Sequence, residues 1–364
     1  MAGSERVAGG PPDLRGFDRE AMEAFALGEG QPAYRGRQLL RWIQGRAVTD
    51  FEAMTDLPAA WRASLKARIP LEPAEVVRRQ ADPEDGTVKL LLRLADGELV
   101  ETVRMRYRYG FSACISTQVG CNVGCRFCAS TLGGKRRDLT AAEMAEQALA
   151  IQRELLPRGE RLSRLVLMGM GEPLENYAET VRFLRLAHEP EGLAISYRRM
   201  TVSTSGVAPA IERLAEEGLP VTLAVSLHAP NDELRRRLVP MNNRYPIARL
   251  MEAVRLYAAR TGRRPTFEYV MIDGVNDAAE HARELAGLLR GLPNHVNLIP
   301  LNESGRGLAS SPPERIEAFR QVLERAGVEV TVRRSLGRRI DAACGQLRRR
   351  EVEAAARPLV RLGE

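Results

Sequence analysis

From about residue 113 onward, short apolar runs alternate with longer segments that have helical periodicity. Strands are predicted at 113–117, 164–170, 198–204, 220–227, 265–272 and 295–301. Helices are predicted after them, at 141–155, 177–188, 208–217, 247–259, 278–289 and 313–326. A strand followed by a helix, repeated at this spacing, is typical of parallel βα units. The sequence therefore predicts an α/β fold, a partial (β/α)6 barrel of TIM type, with a doubly wound open sheet as the alternative.

The residues before this repeat predict a smaller α+β unit. Residues 1–12 are small, polar and rich in Pro and Gly, which is typical of a disordered arm. Two β-rich runs that begin at Thr87 and Glu98 flank Ala95-Asp96-Gly97, which is a hairpin signal. Helices are predicted before this hairpin, at 17–27, 36–44 and 59–67. The predicted organisation is an N-terminal α+β domain at 13–108, a barrel core at 109–347 and a basic C-terminal tail at 348–364.

The composition suits a globular protein of about two domains, with 364 residues of which 44% are hydrophobic and 28% charged. No apolar run approaches the roughly 18 residues needed to cross a bilayer, and residues 1–16 lack the apolar core of a signal peptide. We therefore expect a cytoplasmic protein without a membrane partner. The net charge of +7 favours a polyanion such as nucleic acid. Almost all the cations are arginine, however, and a coding bias could produce that excess without a ligand.

Four of the five cysteines are clustered, and three of them form a C-x3-C-x2-C motif: Cys121, Cys125 and Cys128. The motif follows the first predicted strand of the repeat. Three thiolates on one loop can bind three irons of a [4Fe–4S] cluster, which leaves the fourth iron open to a substrate. A structural zinc site is the alternative, but it needs four ligands, and no nearby C-x2-C or H-x3-H pair completes one.

A glycine-rich turn follows the second predicted strand, where RLVLMGM continues directly into Gly171, Glu172 and Pro173. Alone, GxGEP is equally compatible with an ordinary βα turn. Together with the cysteine motif one strand earlier, it resembles the radical S-adenosylmethionine (SAM) superfamily. In that superfamily the open iron chelates the amino and carboxylate groups of SAM, and this turn meets the methionyl amine.

Further motifs narrow the resemblance to one family. They are CISTQVGC (114–121), ASTLGGKRRDL (129–139), GMGEPLEN (169–176), TVSTSGVAP (201–209), SLHAPND (226–232), PMNNRYP (240–246) and DAACGQL (341–347), with YRGRQLLRWI (34–43) nearer the N-terminus. These stretches resemble the RlmN/Cfr family of radical SAM adenine methyltransferases, which act on 23S ribosomal RNA. The resemblance covers about residue 30 to about residue 347. It implies a radical SAM barrel, a [4Fe–4S] cluster and two SAM molecules per turnover. It also implies that the N-terminal domain at 13–108 is an accessory RNA-binding domain.

The resemblance also assigns the catalytic residues. Cys344 matches the methyl carrier, an S-methylcysteine from which the methyl carbon passes to adenine. Cys114 matches the thiol that then attacks the carrier sulfur, and Glu101 matches the general base that takes the ring proton. Without the family, Cys344 reads as a small buried hydrophobe, Cys114 as a strand-core residue or a fourth cluster ligand, and Glu101 as a solvated carboxylate on a strand face.

Residues at the carboxyl ends of successive strands match the SAM contacts of the family. They are Gly171, Glu172, Ser203, Ser226, Leu227, His228 and Asn302. In a (β/α) barrel this edge is where an active site belongs. For RNA, the candidate contacts are the basic runs 135–137, 235–237, 333–334, 338–339 and 348–350. Each run is equally compatible with a solvated surface.

The expected partners are 23S rRNA, tRNA and an electron donor such as flavodoxin or ferredoxin, and a monomer is the default. QVGC and ASTLGG resemble RlmN more than Cfr, whose loops usually carry QCGC and ATG, so methylation of adenine C2 is expected rather than of C8. A noncatalytic Fe–S or zinc RNA-binding module is an alternative from another class. Such a module has no need of the GMGEP turn or of the distant DAACG cysteine.

Overall fold

The computed structural model describes residues 11–302, 307–333, 340, 346–348 and 351. The chain begins with three helices, α1 (Arg19–Gly28), α2 (Tyr34–Leu40) and α3 (Ala59–Arg68). A π-helical turn extends α2 to Gly45, so the predicted helix at 36–44 is a helix and a looser turn. These elements share an apolar core that includes Met22, Leu39, Trp61 and Leu65.

Three antiparallel strands follow the helices: β1 (Glu75–Ala81), β2 (Val88–Arg93) and β3 (Leu99–Tyr107). The predicted hairpin is confirmed as β2 and β3, with Glu101 opposite Leu91. Its turn is closed by the Gly97 N–H, which donates to the Leu94 carbonyl at 2.9 Å. Gly97 has a φ of +86°, which glycine adopts without steric cost.

The parallel strands are β4 (Gly110–Cys114), β7 (Leu162–Leu167), β8 (Met200–Thr204), β9 (Thr222–Ser226), β10 (Thr266–Met271), β11 (His295–Pro300) and β12 (Val330–Val332). A separate two-stranded ribbon of β5 (Gln118–Val119) and β6 (Arg137–Asp138) lies in the loop after β4. The helices that alternate with the strands are α4 (Ala141–Leu155), α5 (Tyr177–His188), α6 (Ala208–Glu216), α7 (Asp232–Leu238), α8 (Ile247–Thr261), α9 (Ala279–Leu288) and α10 (Pro313–Arg325).

One ten-stranded sheet runs in the order β1-β2-β3-β4-β7-β8-β9-β10-β11-β12. Its parallel part keeps the sequence order without a reversal, whereas a doubly wound sheet reverses its strand order at a switch point. The predicted partial α/β barrel is therefore confirmed, with β12 as a short parallel strand beyond the six predicted. The antiparallel hairpin joins the same sheet, because β3 pairs with β4.

The helices of the repeat cover one face of this sheet. Alternate strand residues such as Ala113, Leu165, Val202 and Phe267 belong to the main core on that side. Successive side chains of a strand point to opposite faces, so the residues between them occupy the opposite face, which we call the inner face. The inner face carries Cys114, Val166, Ser203, Ser226 and Glu268. Among the described helices, none combines the length and apolar character needed to cross a membrane.

Candidate active site

A cavity of about 240 Å³ lies on the inner face at the carboxyl ends of the parallel strands. Its lining includes Cys121, Cys125, Cys128, Gly171, Glu172, Ser203, Ser226, His228, Glu268 and Arg333. Eight of the predicted site residues therefore meet at one place. The carboxyl edge of a (β/α) barrel is where loops from successive strands converge, which explains how residues more than a hundred positions apart become neighbours.

The cysteine loop is held by close backbone packing on both sides. Gly120 has a φ of +79°, and a Cβ there would lie 1.9 Å from the Gly134 carbonyl oxygen. The Lys135 N–H donates to Asn122 Oδ1 at 2.7 Å, and the Arg126 N–H donates to the Leu238 carbonyl at 3.0 Å. The loop is thus fixed to its own continuation and to the end of α7.

The donor set fits an iron–sulfur cluster. None of the three thiols forms a disulfide, and burial raises the pKa of Cys121 to about 12 and raises the pKa of Cys125. Loading with iron must therefore release protons. Among the described residues, no three His, Cys, Asp or Glu side chains converge on a single metal ion. A cubane instead binds each cysteine at a different iron, so three thiols around a shared cavity suit it.

The GMGEP turn is clamped against the segment that precedes the cysteines. Gly171 has a φ of +107°, and a Cβ there would lie 2.7 Å from the Gln118 Cβ. Gln118 Oε1 accepts the Glu172 N–H at 2.9 Å. The Glu172 carboxylate in turn accepts the Ser205 N–H at 2.6 Å and the Ser205 hydroxyl at 2.7 Å. Although burial raises the pKa of Glu172, its hydrogen bonds link the turn after β7 to the turn after β8.

The ends of β8 and β9 contribute hydroxyl groups and one imidazole. Ser203 Oγ lies 3.4 Å from Ser226 Oγ. His228 has a left-handed φ of +59°, and its Nδ1 accepts the Val270 N–H at 3.0 Å. Burial, with a smaller contribution from Arg235, lowers the pKa of His228 to about 3. The imidazole is therefore neutral, and because Nδ1 is an acceptor, the proton is on Nε2, which is available as a donor.

Comparison with known proteins agrees with this geometry. Residues 115–286 match the Radical SAM superfamily, and residues 12–71 match the Ribosomal RNA large subunit methyltransferase N-terminal domain. A protein from Symbiobacterium thermophilum named "Probable dual-specificity RNA methyltransferase RlmN" is 52% identical over 94% of this chain and 92% of its own length. A protein of the same name from Geobacillus kaustophilus is 46% identical, over 93% of each chain.

This chain belongs to the RlmN family. A crystal structure of a radical SAM methyltransferase from Sphaerobacter thermophilus is 50% identical and superimposes with a TM-score of 0.88, covering 92% of this chain and 98% of that one. The predicted family and fold are confirmed. As an RlmN-family protein with a radical SAM domain, the chain is a radical SAM RNA methyltransferase that uses a [4Fe–4S] cluster and SAM, and RNA is its substrate.

Of the residues predicted to perform the RlmN chemistry, Glu101 and Cys114 are not among those that line the cavity. Glu101 is buried on β3, where its carboxylate lies 2.9 Å from the Lys89 ammonium and accepts the Arg348 N–H at 2.7 Å. Cys114 is buried at the end of β4, and Val103 pairs with it across the strands. Cys344 lies outside the described residues. Leu227 is fully buried, and Asn302 is exposed just beyond β11.

One predicted RNA contact is wrong. Arg235, the first residue of the run 235–237, is fully buried, and its guanidinium donates to the Leu227 carbonyl, the Ser205 carbonyl and Asn242 Oδ1. Helical phase explains the error, because α7 turns this residue toward the barrel and leaves Arg236 exposed. Of the other runs, 334, 338–339 and 349–350 lie outside the described residues.

Two charged residues of the site were not predicted. Glu268 lines the cavity and accepts from Asn297 Nδ2 at 2.8 Å, and burial raises its pKa. A single carboxylate within the apolar run PTFEYVMI was a signal that could have found it. Lys89 is the other charged residue, and its ammonium group is fully buried. In the sequence it appears only as a charge within the apolar run TVKLLLRL.

Proposed function

We propose that the protein methylates C2 of an adenine in 23S ribosomal RNA, and of an adenine in tRNA anticodon loops, by way of an S-methylcysteine at Cys344. The observation that supports this most directly is the shared cavity, which the three cysteines line with the GMGEP turn and the polar ends of further strands. Relatives across nearly the whole chain are named dual-specificity RNA methyltransferases.

The need for a methyl carrier follows from the chemistry of the acceptor. An adenine ring carbon is a poor nucleophile, whereas a thiolate displaces the methyl group of SAM readily. In the first step the Cys344 thiolate forms a sulfur–carbon bond to that methyl carbon, and S-adenosylhomocysteine leaves. The assignment of Cys344 rests on the DAACGQL motif.

Transfer to the ring needs a carbon radical and a base. When bound, the cluster and a second SAM supply a 5′-deoxyadenosyl radical, which can take a hydrogen atom from a thioether methyl group. The methylene carbon on Cys344 then bonds to adenine C2. Loss of the C2 proton and of one electron restores the aromatic ring. Glu101 accepts the proton, and the electron would return to the oxidised cluster. The contact from the Arg348 N–H to Glu101 supports this role, because Arg348 follows Cys344 by only four positions.

Release of the product requires a second thiol. The Cys114 thiolate attacks the Cys344 sulfur, the sulfur–carbon bond to the product breaks, and the released carbon takes a proton to become the methyl group. The resulting Cys114–Cys344 disulfide must then be reduced by a thiol reductant. Cys114 suits this role because it shares the inner face with Glu101, which lies two residues from its partner Val103 on β3.

The proposed reaction also needs a second SAM, an electron donor and contacts to RNA. Two SAM molecules are consumed per turnover, one as methyl donor and one as radical source. A flavodoxin or ferredoxin supplies the electron that cleaves the second. Exposed arginines contact RNA phosphates, the target adenine leaves its stack to enter the site, and the protein acts in the cytoplasm as a monomer.

The deciding experiment is methylation of a 23S rRNA fragment by the anaerobically reconstituted protein, followed by nuclease digestion and mass spectrometry. The expected product is 2-methyladenosine. An 8-methyladenosine product would overturn the C2 assignment in favour of Cfr-type chemistry. A colourless, zinc-loaded protein that cannot cleave SAM would overturn the radical reaction in favour of a binding module.

Three cysteine variants separate the proposed roles. Cys344→Ala should bind iron and SAM but transfer no methyl group. Cys114→Ala should also bind iron and should accumulate a covalent protein–RNA adduct, visible as a shifted band on a denaturing gel. Cys125→Ala is the matched control and should lose iron. Methylation by the Cys344→Ala variant would contradict the carrier role.

A further inference from the structure

The turn between β3 and β4 presents a stacked pair of aromatic rings. The Tyr107 and Tyr109 rings have centroids 4.9 Å apart and an interplanar angle of 9°. Tyr109 is 58% exposed. Exposed aromatic faces bind nucleobases by stacking, which is worth about a fivefold to a hundredfold in affinity per base.

Two cations lie beside this stack. The Arg164 guanidinium carbon lies 4.2 Å from the Tyr109 ring centroid, and Arg108 is an exposed residue between the two tyrosines in sequence. Among the ion pairs formed between described residues, none involves these two arginines, whereas Arg104 and Arg136 are both paired with carboxylates. Guanidinium groups that lack carboxylate partners remain available to phosphate.

The stack lies on the inner face, in line with the proposed chemistry. Tyr107 packs against the apolar cluster of Val103, Met105 and Cys114, together with Met168, and Met168 also lines the cavity. Gly110 and Cys114 mark the two ends of β4, so the turn lies roughly 13 Å from Cys114 at about 3.3 Å per residue. That separation is too large for the target adenine and suits a neighbouring nucleotide.

We propose that the Tyr107–Tyr109 stack binds an unpaired nucleobase that flanks the target adenine, with Arg108 and Arg164 contacting the adjoining phosphates. This inference rests on the proposed function, since it needs a single-stranded RNA substrate. Every base has a π-face, so the site holds the strand without reading its sequence. A sequence-tolerant contact of this kind suits an enzyme whose relatives are named dual-specificity.

The test measures the affinity of the full-length protein for an RNA stem-loop with one adenine in its loop, by fluorescence anisotropy at fixed salt. Tyr109→Ala should weaken binding about fivefold to a hundredfold, and Tyr109→Phe should bind as the wild type does, because the ring is kept. Tyr109→Phe therefore serves as the matched control for Tyr109→Ala. Arg108→Gln should lower the salt dependence of log K by about one.

A second arm keeps the test independent of folding. With the loop nucleotide beside the adenine made abasic, the wild type should lose the same factor, and Tyr109→Ala should lose nothing further. Unchanged affinity in Tyr109→Ala, or an equal loss in Tyr109→Phe, would overturn the stacking site. If wild-type binding depends on the stack but no methyladenosine forms, the proposed function fails and the stacking site stands. If methyladenosine forms but binding does not depend on the stack, the stacking site fails and the proposed function stands.

Discussion

The Lys89 ammonium lies 2.9 Å from the Glu101 carboxylate, and both side chains are removed from solvent. The two residues lie on adjacent antiparallel strands, where Lys89 is opposite Val103 and Glu101 opposite Leu91. The pair is therefore diagonal on one face of the hairpin. A buried carboxylate needs such a cation, because an unpaired charge in the interior is costly.

Removal of that cation should destabilise the fold and prevent Glu101 from acting as the proposed base. We expect Lys89→Met to lower the free energy of unfolding by about 3 to 5 kcal/mol, since it removes the ammonium group beside the buried Glu101 carboxylate. The double variant Lys89→Met/Glu101→Gln should regain most of that stability without regaining methylation, and Lys89→Arg should retain both. Denaturant unfolding and RNA methylation assays measure the two effects. Equal stability of the single and double variants would show that the pair is not coupled.

The close approach at Gly171 should make the GMGEP turn intolerant of any side chain. Gly171→Ala places a Cβ 2.7 Å from Gln118 and strains a φ of +107°. We expect SAM affinity to fall about fivefold to a hundredfold, from a strain of about 1 to 3 kcal/mol. Gly218→Ala is the control, because its φ of +68° is also left-handed but no atom lies within 4 Å of the added carbon. Titration calorimetry with SAM should show a loss only for Gly171→Ala.

Arg235 should be essential to the structure and its neighbour dispensable. Arg235→Met leaves the Ser205 and Leu227 carbonyls without their donor, and each unsatisfied buried group costs about 1 to 3 kcal/mol. Arg236→Met, at an exposed position of the same helix, should change the free energy of unfolding by less than about 0.5 kcal/mol. Thermal unfolding of the metal-free proteins makes the comparison. Similar melting temperatures for both variants would contradict the buried role.

His228 should make the fold weaker in acid. Its pKa is about 3 in the folded chain and about 6.5 when unfolded, so between these values the unfolded chain binds the extra proton and stability falls as pH decreases. From pH 7 to pH 5 this residue should contribute a loss of about 2 kcal/mol. His228→Asn, which tolerates the left-handed φ, lacks that contribution. From pH 7 to pH 5, the unfolding free energy of the metal-free wild type should therefore fall by about 2 kcal/mol more than that of the metal-free variant. A difference between the two proteins that does not change with pH would contradict the low pKa of His228.

The sequence predicted six of the seven described parallel strands, because each of the six has an apolar pattern of its own. It did not predict β1 or β12, whose runs EVVRRQA and VTV are short or polar and largely exposed. Their extended conformation comes from pairing with β2 and β11 at the sheet edges, which is a tertiary effect.

Eight of the cavity residues were predictable because their motifs are local in sequence, whereas Glu268 belongs to no such motif. The ion pair of Lys89 was not predictable, since its partner depends on the register of β2 against β3. The burial of Arg235 was not predictable either. The sequence shows three consecutive arginines, and only the orientation of the helix decides which of them faces the barrel.

The three-residue turn Ala95–Gly97 decides more than the shape of a hairpin. Side chains on a strand alternate between faces, so a slip of β3 by a single residue against its neighbours would turn Glu101 toward the helices. That slip would move the proposed proton acceptor to the wrong side of the sheet with hardly any change in secondary structure. A short turn that does not itself line the cavity therefore helps to decide which face of the sheet carries Glu101.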